Sequence, residues 1–116
     1  MIRIRIIIGF DSCILNLVAT GHAPRNGSSS LPCGIVSALL RSFGLWSLDQ
    51  ADFHAAGRID QEGHFEVSLA PSNEQARNTL RGASLFLIQG LGDVKSTAPD
   101  SIQLILENSE EKYNGT

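Results

Sequence analysis

The chain has 116 residues, a formal net charge of −3 and a calculated pI of about 5.5, with 42% hydrophobic and 18% charged residues. That length suits a single domain over residues 1–116 with a sheet covered by helices on one face. The absence of any Lys/Arg run or basic stripe argues against direct nucleic-acid binding driven by charge, though not against contact with an RNA–protein particle through its proteins.

The N-terminal segment alternates Ile2, Ile4, Ile6 and Ile8 against Arg3 and Arg5. This is the two-residue period of a half-buried strand, and it lacks the continuous apolar run of a signal peptide. No stretch is expected to reach membrane-spanning length, so the expected setting is a reducing cytoplasm with no membrane partner. Gly9-Phe10-Asp11-Ser12 reads as a turn. Residues 13–20 read as the return strand, with Cys13, Leu15, Leu17 and Ala19 on one side and Ile14, Asn16 and Val18 on the other. Cys13 falls mid-strand among apolar residues and reads as core. Two cysteines do not make a disulfide framework.

Residues 21–30 change character. Gly21-His22-Ala23-Pro24-Arg25-Asn26-Gly27-Ser28-Ser29-Ser30 is polar, rich in Gly, Pro and Ser, and aperiodic, which predicts a loop. Ser30 can cap a following helix, and Pro32 suits a first turn that needs no N–H there. Val36, Leu39, Leu40 and Phe43 recur at helical spacing, with the helix ending at Gly44 or running on to about Leu48. The alternation of Ala51, Phe53, Ala55, Gly57 and Ile59 predicts a third strand. A turn at 60–63 and a fourth strand through Phe65, Val67 and Leu69 follow. His54 and His64 are expected at exposed strand positions. Ser72-Asn73-Glu74-Gln75 fits a capping box, opening a helix through Ala76, Leu80, Ala83 and Leu87 that Gly90 or Gly92 stops. Ile102, Leu104 and Leu106 make the last strand, with a frayed polar tail from Glu107. Strand, strand, helix, strand, strand, helix, strand amounts to a two-layer α+β fold with a mixed sheet.

The chemistry concentrates between His22 and Cys33. A thiol in the first turn of a helix meets backbone N–H groups that lack intrahelical partners, together with the positive end of the helix dipole. Both favour thiolate over thiol, and a nearby imidazole would serve first as proton acceptor and then as counter-ion. At about 3.3 Å per residue the intervening loop can fold back far enough to bring His22 to the sulfur. The plainer readings are that Cys33 is a small buried apolar residue and His22 a solvated surface residue. A metal site built from Cys33, His54 and His64 lacks metal-type spacing. Gly21 to Gly27 lacks the Lys-Ser/Thr ending of a phosphate loop. No cofactor is implied.

Gly21-His22-Ala23, a loop containing Gly27, and Cys33 followed by Val36-Ser37-Ala38-Leu39 resemble the Prp family of ribosomal-processing cysteine proteases. Ala98-Pro99-Asp100-Ser101-Ile102-Gln103-Leu104 resembles that family's closing segment. The resemblance implies the same ββαββαβ order and a cytoplasmic, homodimeric endopeptidase that removes an N-terminal extension from a large-subunit ribosomal protein. It makes Cys33 the nucleophile and His22 the base. Gly21, Ala23, Gly27, Ser30, Gly34 and Ser37 are the expected substrate-binding positions. The family typically has an acidic Asp-Ile-Val before the cysteine where this chain has Ser30-Leu31-Pro32, and the loop here is one residue shorter. These departures leave a second expectation open, a weakly catalytic relative that binds a ribosomal protein or assembly intermediate.

Overall fold

The structure, a computed structural model, describes residues 1–21, 31–59 and 63–109. Strands β1 (Ile2–Ile8) and β2 (Ile14–Thr20) form an antiparallel hairpin, and α1 (Leu31–Leu48) follows. β3 (Ala56–Arg58) and β4 (His64–Ser68) form a second antiparallel pair; α2 (Glu74–Thr97) and β5 (Ile102–Asn108) complete the chain. The five strands lie in the order β3-β4-β2-β1-β5, with β5 parallel to β1 and the other pairs antiparallel. The ββαββαβ order and the mixed two-layer α+β architecture are those read from the sequence.

The period-two pattern of β1 sorts its side chains as expected. Ile2, Ile4 and Ile6 are 3%, 0% and 0% exposed, while Arg3 and Arg5 face solvent. They join Leu17, Val67 and Ile102 from the sheet and Val36, Leu40, Leu80 and Leu87 from the helices in one core. Each such side chain withdrawn from water contributes about 1.5–3 kcal/mol, so the core rests on the alternation in β1. In β2 the expected facing fails at one end. A register shift between Ile7 and Ile8 turns Ile14 inward, where it is fully buried and its N–H donates to the buried Ser84 Oγ at 2.9 Å.

The expected third strand is mostly something else. Ala51–Phe53 form a 3-10 turn, and only Ala56–Arg58 pair as β3. Phe53 is drawn 2% exposed into the core, edge-on to Trp46 with ring centroids 5.2 Å apart. A T-shaped ring pair and its burial outweigh the extended backbone that the alternation favours. His54 is therefore exposed in a left-handed turn with φ 48°, and not on a strand. His64 does open β4, half-buried, with Nε2 3.4 Å from Glu66 Oε1.

The second helix outruns its expected stop, while the first ends at Leu48, the longer of its two expected ends. α2 continues past Gly90 and Gly92 because Leu91 and Val94 still pack into the core, and it ends before Pro99. Its cap is the Asn73 side chain, which accepts from the Ala76 N–H at 2.7 Å; Ser72 instead donates to the Asp52 carbonyl. β5 extends through Glu107 and Asn108, and Ser109 is 2% exposed, so the fraying expected from Glu107 does not hold for these residues; the rest of the expected tail, 110–116, lies outside the described residues.

α1 passes through Gly44 to Leu48. With 18 residues and a mean hydropathy of 1.4 it reaches membrane-spanning length by length and composition, contrary to expectation, because Gly and Ser interrupt its apolar runs without making them polar. In this fold its Cys33, Val36, Leu40 and Phe43 are buried. At Gly44 the helix lies close against its neighbours: a Cβ there would lie 2.7 Å from Ile59 Cδ1 and 2.8 Å from Phe65 Cζ. Gly44→Ala is expected to destabilise the fold by about 1–3 kcal/mol through overpacking, read as a lowered denaturation midpoint at unchanged m-value.

Candidate active site

Cys33 is the third residue of α1, buried at 7% exposure. The first turn of α1 packs against the last turn of α2, where Pro32 and Ile35 share a cavity of about 180 Å³ with Val94 and Ala98. That contact holds the sulfur at the end of the molecule where β2 finishes and β5 begins. The sulfur thus sits in the first turn of α1, at the positive end of the helix dipole. Gly34, the next residue, is exposed, and an added Cβ would meet none of the described residues within 4 Å.

Gly21 ends β2 with φ +86°, its N–H donating to the Gly63 carbonyl at 3.2 Å. A cavity of about 190 Å³ lies between this exit and α1, lined by Gly21 and Ser37 together with the apolar Leu40, Ile59 and Phe65. Ser37 is one helical turn beyond Cys33. The residue that precedes His22 and the helix that carries the thiol therefore border one concavity. Of the sequence-predicted site residues, Gly21, Cys33, Gly34 and Ser37 come to this end of the molecule. His22, Ala23, Gly27 and Ser30 lie outside the described residues.

Sequence reasoning missed Arg41 and His64, which also line this cavity. The signal for Arg41 was present: Cys33, Ser37 and Arg41 are spaced by four along one helix face. His64 had no such signal, because only the β2–β4 pairing of Thr20 with His64 brings it to the exit of β2. A larger cavity of about 850 Å³, bordered by Ile7, Asn16, Ser68 and Arg77, lies at the opposite end of the strands and contains none of the predicted residues.

The second cysteine behaves differently. Cys13 is fully buried and donates its thiol to the Arg77 carbonyl at 3.2 Å. Burial, reinforced by the Asp11 carboxylate, pushes the thiol up from 9.0 to about 11, although Arg77 and Arg81 pull the other way. It is a core residue, as the sequence indicated. The folded state thus holds this proton after the unfolded chain has released it. Stability from Cys13 is complete below about pH 9 and declines as pH rises from about 9 to about 11. Cys13→Ala is expected to flatten that part of the stability–pH curve, which urea titrations at pH 8, 9.5 and 11 would show as a convergence of the two proteins at high pH.

Among the described residues, no three His, Cys, Asp or Glu side chains are grouped to hold a metal ion. No family model matches the chain, and no curated protein matches it. Solved structures do. The ribosomal processing protease Prp from S. aureus, solved with a covalently linked product peptide and with a substrate peptide, superposes with a TM-score of 0.74 at 16% identity, covering 92% of this chain and 100% of that one. SMU.848 from Streptococcus mutans gives 0.71 at 15% identity, covering 94% of this chain and 96% of that one. A likeness over nearly the whole of both chains at this level shows a shared fold, in line with the resemblance read from Gly21-His22-Ala23 and Cys33. The chain has the fold of the ribosomal processing protease Prp.

Proposed function

We propose that this chain is a cytoplasmic cysteine endopeptidase that removes an N-terminal extension from a large-subunit ribosomal protein, working as a homodimer. The observation that carries this reading is the shared concavity: the β2 exit at Gly21, immediately before His22, and the α1 turn after Cys33 border the same 190 Å³ space. The Prp fold, seen in S. aureus with peptides bound, supports the choice of substrate class.

In this mechanism His22 takes the Cys33 proton, and the thiolate attacks the scissile carbonyl of an extended peptide, forming a C–S bond. The oxyanion is met by first-turn N–H groups of Cys33 and Gly34; Pro32 has no N–H to offer. Gly34 leaves room for the substrate backbone. Collapse of the tetrahedral species breaks the C–N bond as His22-H⁺ protonates the leaving amine. Water, deprotonated by His22, then hydrolyses the thioester and returns the thiol.

The 7% exposure of Cys33 favours a second reading, a binding module in which the sulfur only packs. Alkylation by iodoacetamide at pH 7 separates the two. The protease reading expects Cys33 to react faster than a small free thiol, and the rate to fall in His22→Ala. An inert Cys33, with mass spectrometry finding no cleavage of ribosomal-protein N-terminal peptides, would establish the binding module instead.

A further inference from the structure

We propose that β5 pairs antiparallel with β5 of a second copy, joining two five-stranded sheets into one of ten. This names the surface for the self-association put forward above, but it is argued from the strand edge alone.

The two edges of the sheet differ. β3 is only three residues long, whereas β5 presents seven. β5 carries neither proline nor lysine and is bound to β1 in unbroken parallel register from Ile2↔Ile102 to Ile8↔Asn108. Short edge strands, Pro, Lys and bulges are the usual protections against edge-to-edge pairing, and this strand has none of them. Ile105 and Leu106 are 41% and 47% exposed.

The backbone fixes which groups are offered. The Ser101 carbonyl accepts from the Ile2 N–H, and the Ser109 N–H donates to the Ile8 carbonyl. The residues in phase with them, Gln103, Ile105 and Glu107, therefore spend their N–H and C=O on β1. Ile102, Leu104, Leu106 and Asn108 point theirs away. The Lys95 ammonium donates to the Ile102 carbonyl at 3.0 Å, and no described strand takes the others.

A two-fold axis through Ile105 suits this edge better than its neighbours. It sets Leu104 opposite Leu106 of the second copy as a hydrogen-bonded pair using the outward groups of both. Ile105 faces itself as the non-hydrogen-bonded pair, and Gln103 meets Glu107, amide to carboxylate. Centring on Leu104 would put Ile105 against Gln103, and centring on Leu106 would put it against Glu107. The self-complementary register thus matches apolar to apolar on both faces, which selects a second copy over an unrelated strand as the occupant.

The register is testable by cross-linking. In a non-hydrogen-bonded antiparallel pair the Cα atoms are about 4.5 Å apart, within disulfide range. Ile105→Cys is expected to form a covalent dimer under mild oxidation in a Cys33→Ala background, which removes the thiol the proposed mechanism makes reactive and leaves only the fully buried Cys13. Gln103→Cys, displaced from its own copy by about 13 Å along the strands, is not. Ile105→Lys, which sets two like charges at the axis, is expected to sediment as monomer with unchanged far-UV circular dichroism. Wild type sedimenting as monomer at 100 μM would overturn self-association itself. A wild-type dimer in which Ile105→Cys fails to cross-link, or in which Gln103→Cys cross-links equally well, would overturn this interface alone.

Discussion

Replacing Cys33 with alanine is expected to lower peptide cleavage by about 10³-fold or more while leaving a folded protein. The two halves of that expectation rest on different features of α1. The core side of the helix is carried by Val36, Leu40 and Phe43, so removal of one sulfur atom at the helix start should cost little stability. The chemistry has no such reserve. Cys13, the other thiol, is fully buried at the far end of the sheet, committed to the Arg77 carbonyl and held protonated to about pH 11. Cys33→Ser keeps the size but swaps the thiolate for a poorly ionised hydroxyl, and should fail nearly as badly. The measurement is mass-spectrometric cleavage of peptides from ribosomal-protein N-termini, paired with thermal melting of each variant. Cleavage unchanged in Cys33→Ala would end the assignment of the nucleophile.

The second large effect is expected at Gly21. Its φ of +86° lies where side chains are rarely tolerated, and an added Cβ would stand 2.5 Å from the Met1 carbonyl oxygen. That oxygen is main chain at the start of β1, so it cannot turn aside. Gly21→Ala should therefore destabilise by about 1–3 kcal/mol, and the exit of β2 should shift to relieve the contact. Because the next residue is His22, a shift there would fall on the base of the proposed mechanism. The expected signature is a loss of kcat larger than the fall in melting temperature accounts for, together with slower alkylation of Cys33. A Gly21→Ala protein with wild-type melting and wild-type cleavage would show that this glycine sets neither the strand end nor the base.

Much of this molecule was legible because its local and tertiary preferences agree. The Ile/Arg alternation of β1 and the Val36–Leu40–Phe43 stripe of α1 each fit a single partner surface, and the structure uses both as read. The misreadings share a physical cause: a tertiary contact outweighing a local pattern. Phe53 leaves an extended path to pack edge-on against Trp46, and Gly90 and Gly92 fail to stop α2 because Leu91 and Val94 still pack into the core. Ile14 turns inward at a register shift that no single strand encodes. The candidate site divides the same way. Cys33 was legible from the helix start that surrounds it, whereas His64 reaches the cavity only through pairing with Thr20.

The parallel pairing of β1 with β5 has a consequence for synthesis. Ile2 finds its neighbour at Ile102, and the match runs on to Asn108. Every other strand contact of β1 is local to the hairpin. A chain emerging from the ribosome must therefore carry one flank of its first strand uncovered until Ile102 to Asn108 have been translated. Contacts of such long range slow folding and prolong the exposure of apolar strands. Truncation before Ile102 should thus leave not a smaller protein but an aggregation-prone intermediate, held open along Ile2, Ile4 and Ile6.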